Sequence, residues 1–374
     1  MINTLFHCQT VLGDVSISKE MLYQAVESLC LHKYAVSLYQ KLSNECERHI
    51  FAMVDGLQDQ VLEFKLQRNY VNYLNAINQL WINHCEQMNT VRNIFLVLDR
   101  SYPQQQPNVL SIWDLGLQLL KKRLEFNQET LETLFISLLA LIEQERQYLG
   151  IDVDLMRDMM RMLYALDLYP LFERMFLDDS IRFFQQLCSN MSHSEPLQYL
   201  MTVEKRIAQA NEMVINYLQP STRAALLQVI DTYFLLPNLE NCIVSGLPIA
   251  LAHHSGLEVK FTDVKRMHSL VERVNQLPLL LKQWGEYIRE TGGSYIHMNN
   301  ASKTDKEFDK TIIENLLAFY ELMETVLKNC FRADDQFRIQ LRSSFEACIN
   351  KASNKVARLL VLHVDSKLRG NIST

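Results

Sequence analysis

The feature that most constrains the fold is the spacing of apolar residues, which recur every three or four positions along nearly the whole chain. Stripes of this kind run through residues 131–142, 200–218 and 313–330. This period places apolar side chains on one face of an α-helix. Period-two alternation, which a half-buried strand needs, is hard to find over six residues. The clearest stripe contains Leu131, Leu134, Phe135, Leu138, Leu139 and Ile142.

Turn-forming residues are scarce. The 374 residues include only 10 glycines and 8 prolines. Sandwiches and barrels need many tight turns, and doubly wound folds need glycine-rich corners, so this composition predicts an all-α chain. The predicted helices cover approximately residues 2–12, 18–32, 35–66, 69–88, 89–101, 111–125, 128–148, 152–168, 170–190, 196–218, 221–254, 261–289, 306–331 and 334–368, with a break or two inside the longer spans.

Several residues mark where these helices begin and end. Ser111 and Thr304 are each followed by an acidic residue three positions later, as in a capping box. Gly150 and the pair Gly292–Gly293 predict helix ends. No long linker divides the chain, which favours a continuous stack in which each helical unit covers its neighbour.

Charge and composition exclude several classes of function. The formal net charge is −6, which argues against a nucleic-acid duplex as the main partner. The most apolar stretches, residues 134–142 and 243–252, are roughly half as long as a ~30 Å hydrocarbon layer requires, so no membrane-spanning helix is predicted. The eight cysteines follow no disulfide framework and are predicted to be reduced thiols in the cytosol or nucleus.

Two pairs of residues could carry chemistry. His84 and Cys85 are adjacent, but neighbours on a helix point about 100° apart, so they cannot form a catalytic pair locally. A helix-interface pair is the favoured interpretation. His253–His254 has no carboxylate or cysteine at metal-ligand spacing. The sequence therefore predicts no cofactor and no metal.

One helix is rich in methionine. Met156, Met159, Met160 and Met162 occur together with Leu155 and Leu163. Such a set is most often core, but flexible thioethers also suit adaptable protein-binding surfaces. The sequence leaves both interpretations open.

Two strings of the chain are distinctive: residues 94–102 read IFLVLDRSY, and residues 111–117 read SIWDLGL. They resemble the first half of the cullins, most closely the type-four branch, which has IFLFLDRTY and SIWDMGL at these places. Further similar strings follow the same order at residues 22–30, 141–146, 345–351 and 364–369. The strings mix apolar, charged and aromatic positions that unrelated helices would not share.

The resemblance implies an all-α, elongated stalk of three stacked cullin repeats with about five helices each. The first implied repeat covers residues 1–168 and contains the adaptor-binding end. The second covers residues 169–289, and the third covers residues 290–374. It also implies an arm before the first helix and a globular C-terminal region that seats a RING protein. The expectation is that this sequence contains neither.

The implied function is that of a non-catalytic scaffold in a cullin-RING ubiquitin ligase of the cytoplasm and nucleus. For the type-four branch the partner is a triple β-propeller adaptor, the large subunit of the damage-specific DNA-binding protein. The matching helices are residues 18–32 and 152–168. The expected contact residues are Lys19, Glu20, Tyr23 and Glu27 on the first helix, and Met156, Met159, Met160 and Leu163 on the second.

Two other functions remain open on the sequence alone. A helical-rod vesicle-tethering protein would use similar stacked helices, but it would need a basic cluster for anionic lipid. A thiol enzyme would use His84 and Cys85, and its cysteine would react unusually fast. Neither direct nucleic-acid binding nor membrane binding is expected.

Overall fold

The computed structural model describes residues 18–57, 69–252, 260–297, 305–351 and Val361. Every regular element in these ranges is helical, which agrees with the predicted all-α class. The predicted helix 2–12, the pair His253–His254 and the cap Thr304 lie outside the described residues. The helices are α1 Lys19–Leu31, α2 Ala35–Asp55, α3 Tyr70–Ile94, α4 Leu96–Gln105, α5 Ile112–Phe126, α6 Gln128–Arg146, α7 Val153–Ala165, α8 Tyr169–Asn190, α9 Pro196–Asn216, α10 Thr222–Ile230, α11 Leu236–Leu251, α12 Phe261–Arg273, α13 Leu277–His297, α14 Asp305–Cys330 and α15 Asp335–Lys351.

The chain divides into two compact units. The first contains residues 1–180 and 211–225, and the second contains residues 181–210 and 226–374. The division into three repeats at residues 168 and 289 stays a prediction.

Helix α3 is the centre of the first unit. It packs against α1, α2, α5, α6 and α7. Its buried residues include Tyr73, Ile77 and Met88, and the Tyr73 hydroxyl donates to the carbonyl of Thr130 at 2.9 Å. The α6 stripe predicted from the sequence faces this core through Leu134 and Leu138. One long helix therefore supports most of the shorter ones.

The second unit has an aromatic core. Trp284 is fully buried and meets Phe331 edge-on, with ring centroids 5.0 Å apart. Phe331 in turn stacks on Phe337 at 4.3 Å. His268 lies beside both phenylalanines, and burial lowers the pKa of its imidazole. These four rings join α12 and α13 to α15 and to the turn before it.

The predicted helix end at Gly292–Gly293 is wrong. Both glycines lie inside α13, which continues to His297. A side chain on Gly292 would come within 2.8 Å of the Cys348 sulfur on α15, whereas one on Gly293 would meet nothing within 4 Å. Gly292 therefore allows α13 and α15 to approach each other closely. This packing outweighs the tendency of glycine to end a helix.

The predicted end at Gly150 is also displaced. Helix α6 ends at Arg146, and Tyr148 takes the left-handed conformation with φ 60°. The amide of Leu149 donates to the carbonyl of Gln144 at 2.9 Å, which closes the helix end. Lys33 takes the same left-handed conformation after α1, with φ 66°. Residues other than glycine thus take the left-handed position at these two helix ends, where glycine is usual.

Helices α10 and α11 are joined by a π-helical turn, Asp231–Leu235. The Tyr199 hydroxyl donates to the carbonyl of Phe234 within this turn. Arg273 pairs with Asp231 at 2.8 Å. Such a turn contains one residue more than an α-helical turn.

The continuous helix Thr222–Leu251 corrects the expectation that no segment is long and apolar enough to cross a membrane. Its 30 residues contain an 18-residue window of mean hydropathy 1.4. Half of that window is buried inside the protein, as in a core helix. Length and composition alone therefore give weak support for a membrane span.

Candidate functional site

Helix α1 presents a polar face to solvent. The Ser18 hydroxyl caps it by accepting from the amide of Met21 at 3.2 Å. Leu22 and Val26 are buried one turn apart and fix which face turns inward. Of the predicted contact residues on this helix, three are exposed and Tyr23 is partly buried. The exposed three are Lys19, Glu20 and Glu27.

Helix α7 places its predicted contact residues differently. The Asp152 carboxylate caps it by accepting from the amide of Leu155 at 3.0 Å. The predicted set is buried in the core of the first unit and offers no surface in this conformation, because the helix lies with its apolar face on α3. The set consists of Met156, Met159, Met160 and Leu163.

The outer face of α7 carries a different set of side chains. Arg157 and Arg161 pair with Asp154 and Asp158 at 2.6 and 3.5 Å. Tyr164 is 66% exposed in the last turn. Tyr164 falls outside the methionine stripe on a helical wheel, so helical spacing could have identified it as an outward-facing aromatic residue.

Helices α1 and α7 both pack against α3, so one helix positions both candidate contact elements. A groove of about 810 Å³ lies nearby in the first unit, lined by parts of α2, α5 and the chain after α7. Both lysines of this groove are paired: Lys122 with Glu47 at 2.9 Å, and Lys121 with Asp167 at 2.9 Å. Neither lysine is therefore available to bind an anion.

The pair formed by His84 and Cys85 is unsuited to catalysis. The His84 ring is buried beside Trp81, and burial lowers its pKa from 6.5 to about 4, with His49 adding a smaller effect. Burial raises the pKa of the Cys85 thiol to about 11, so it is protonated at neutral pH. A nucleophilic cysteine needs the opposite shift. The pair is part of the packing of α3, as the favoured interpretation predicts.

No metal centre is formed by the residues that the structure describes. Within those ranges, no three His, Cys, Asp or Glu side chains are placed to hold an ion together. The described cysteines are free thiols, and Cys46, Cys242, Cys330 and Cys348 are buried. These four buried thiols therefore act as small core residues.

The sequence is similar to proteins of known family. Residues 8–374 match the family described as the Cullin alpha solenoid domain. Human Cullin-4A is 35% identical over 362 residues, which are 95% of this chain and 45% of that protein. Cullin-4 of Dictyostelium discoideum is 33% identical over 358 residues, which are 95% of this chain and 42% of that protein. Cullin-3B of Arabidopsis thaliana is 27% identical over 363 residues, which are 94% of this chain and 47% of that protein. The chain spans less than half the length of these relatives.

Proposed function

The chain belongs to the cullin family, and from this premise we propose that it is an adaptor-binding scaffold of a ubiquitin ligase with no catalytic role. The match of residues 8–374 to the cullin alpha solenoid carries the proposal. The same match confirms the predicted helical-repeat class, and the two type-four relatives confirm the resemblance to that branch. A scaffold acts by holding bound proteins at a set separation, which raises their effective concentration.

The proposed partner is an adaptor of the triple β-propeller kind, the large subunit of the damage-specific DNA-binding protein. Support comes from the Cullin-4 relatives and from the exposed charged face of α1. We assign the contact to Lys19, Glu20, Tyr23 and Glu27, together with the outer face of α7. Charged rims of this kind favour one partner over another and speed association, and a few anchors supply most of the affinity.

A RING protein is a proposed partner only if the C-terminal half of a cullin is also present, because it would contact the part of longer cullins that lies beyond the matched solenoid. The proposed location is the cytoplasm and nucleus. A fluorescent fusion of the chain should therefore be found in both compartments. Restriction to one of them would overturn this part of the proposal.

The adaptor contact is tested by titrating the purified chain with the purified propeller adaptor in a calorimeter. We expect a one-to-one complex, weakened about tenfold or more by the double variant Tyr23→Ala/Glu27→Arg. Glu132→Arg is the matched control, because Glu132 is exposed on α6 of the same unit. Its affinity should stay within about twofold. An unmodified chain that does not bind the adaptor would overturn the proposed function.

Vesicle tethering is the alternative, and flotation with liposomes that contain anionic lipid distinguishes it. A scaffold of the proposed kind should remain at the bottom of the gradient. Flotation with the liposomes would favour tethering instead, because anionic lipid attracts proteins through basic clusters.

A further inference from the structure

The outer face of helix α11, in the second unit, is largely apolar. Its exposed residues recur at i, i+1, i+4 and i+5, so they form one continuous strip along the helix. Leu236 is 41% exposed, Val244 41% and Ile249 42%. The strip, called the α11 strip below, consists of Leu236, Pro237, Glu240, Asn241, Val244, Ser245, Pro248 and Ile249. Contiguous exposed apolar surface of this kind marks contacts with other molecules.

The α11 strip carries a single charged residue, Glu240. The sequence contains no lysine or arginine between Arg223 and Lys260. The strip therefore lacks the basic side chains that attract nucleic-acid phosphates or anionic lipid. An apolar surface with few charges is typical of the buried centre of a protein–protein interface.

The inner side of α11 holds the strip in place. Cys242, Ile243 and Leu247 are buried, and the helix packs against α12 and α13. A side chain on Gly246 would come within 3.1 Å of the Pro196 side chain, so this inner contact is close. The strip is thus fixed on the surface before any contact forms. A surface ordered before binding loses less entropy when it docks.

The order of residues in the α11 strip is self-complementary. Reversal about the midpoint between Cys242 and Ile243 sets apolar residues against apolar ones and the carboxylate against a hydroxyl. The resulting pairs are Leu236 with Ile249, Pro237 with Pro248, Glu240 with Ser245 and Asn241 with Val244. A two-fold axis relating two identical helices produces this reversal. Rows of residues four apart are also the ridges that interlock when two helices cross at about −50°.

The polar residues of the strip also find partners in the reversed pair. Pro248 has no N–H, so the carbonyl of Val244 lacks its usual helical donor. The Ser245 hydroxyl donates to Asn241 Oδ1 at 3.3 Å, which leaves the Asn241 amide to donate to that carbonyl on the other copy. Glu240 faces the Ser245 hydroxyl of the other copy, which can rotate to donate to it. Polar groups satisfied in this way do not oppose burial of the strip.

We propose that the α11 strip binds the same strip on a second copy of this chain, as an antiparallel pair about a two-fold axis. Its eight residues are fewer than the roughly 20–30 a side of a stable interface, so the dimer is weak and forms only at high protein concentration. The inference does not depend on the proposed adaptor contact, which lies in the first unit.

The test is sedimentation equilibrium of the purified chain over a range of rising concentrations. We expect a monomer–dimer equilibrium that Val244→Gln/Ile249→Gln weakens about tenfold or more, because apolar anchors are lost. Glutamine is a good helix former, so α11 should persist. The matched control is Ile82→Gln/Ile136→Gln, which alters two exposed apolar residues of the first unit. It should change dimerisation less than about twofold. Thermal unfolding followed by circular dichroism checks that both variants are folded.

Two variants of one residue test the antiparallel register. Ser245→Lys places an ammonium group opposite Glu240 of the other copy, and Ser245→Glu places a carboxylate there. We expect the first to strengthen dimerisation severalfold and the second to weaken it, with both effects shrinking at high salt. Gln228→Lys is the control for charge, because Gln228 is exposed on α10 beyond the strip. Equal effects of Ser245→Lys and Ser245→Glu would overturn the proposed pairing.

Other occupants of the strip would give different results. A chain that stays monomeric at every concentration overturns the proposal and leaves the strip to a protein of different sequence. Flotation with uncharged liposomes, lost in Val244→Gln/Ile249→Gln, would show that lipid covers the strip and would overturn it equally. Dimerisation that this variant does not weaken places the contact elsewhere and also overturns it. None of these results affects the adaptor contact, which Tyr23→Ala/Glu27→Arg tests separately.

Discussion

Helices α1 and α7 pack on the same helix, but they use their side chains in opposite ways. In α1 only Leu22 and Val26 are buried, and the charged residues face outward. In α7 six apolar residues are buried, and ion pairs cover the outer face. Charged positions on an amphipathic helix can thus be assigned to the surface from the sequence. Apolar positions go to whatever core is available, even when methionine chemistry would suit a partner.

The largest expected effect comes from removing a core methionine of α7. Met159→Ala should lower the free energy of unfolding by about 2–5 kcal/mol, because a fully buried side chain leaves a cavity. Urea denaturation measures the change. Arg161→Ala, on the exposed side of the same helix, should alter stability by only about 0.5 kcal/mol. Equal losses for the two variants would contradict the assignment of faces.

Acid should lower the stability of the first unit through α3, the helix against which α1 and α7 both pack. His84 on α3 has a folded-state pKa of about 4 against an ordinary 6.5, so its contribution to stability is fully present above pH 6.5 and is lost as pH falls toward 4. The loss should reach roughly 2–3 kcal/mol. Urea titrations at pH 7 and pH 4.5 measure it. His84→Gln should show a smaller difference between the two pH values, and an unchanged difference would contradict the assignment to His84.

Binding should depend on the outer face of α7 rather than on its methionines. Tyr164→Ala should weaken adaptor affinity about tenfold with little change in stability, because the ring is 66% exposed. Met160→Leu conserves volume in the core and should leave affinity within about twofold. Calorimetric titration compares the two. A larger loss for Met160→Leu would restore the methionine face as the contact.

The smallest expected effects concern the helix ends that precede α7 and follow α1. Tyr148→Gly and Lys33→Gly should each stabilise the first unit by roughly 0.5–1 kcal/mol, because glycine relieves the strain of the left-handed conformation. The gain is small because glycine also loses more conformational entropy on folding. Thermal unfolding measures both. Leu149→Gly is the control, because it adds a glycine where the backbone is not left-handed, and it should not stabilise. Destabilisation by Tyr148→Gly would show that the tyrosine ring contributes more than its backbone strain costs.

Much of the fold was predictable because each helix carries its own apolar stripe. The predicted start after Ser111 is confirmed, with the Ser111 hydroxyl accepting from the amide of Asp114 at 3.1 Å. The predicted span 261–289 is divided at Val274–Gln276, where Asn275 takes φ 57°. Asparagine tolerates that conformation without being a strong signal for it. Sequence patterns fix faces better than they fix ends.

The candidate site was predictable only in part. Charges such as Glu20 and Glu27 lie where helical spacing places them. The role of Gly292 depends on Cys348, which is distant in sequence and reaches it only through the packing of α13 on α15. Burial of Met156 likewise depends on the presence of α3 beneath it. Such long-range neighbours are not encoded in local spacing.

The π-helical turn at Asp231–Leu235 affects how insertions and deletions would be tolerated. Each residue of an α-helix advances the side chain by about 100°, so losing one residue ordinarily turns everything that follows away from the core. Here the wider turn already holds one residue in excess, and buried positions on both sides, such as Ile230 and Leu239, remain on the inner face. A relative lacking one residue between 231 and 235 would revert to a plain α-helix with both flanks in phase. Alignment gaps between relatives should therefore collect at this turn.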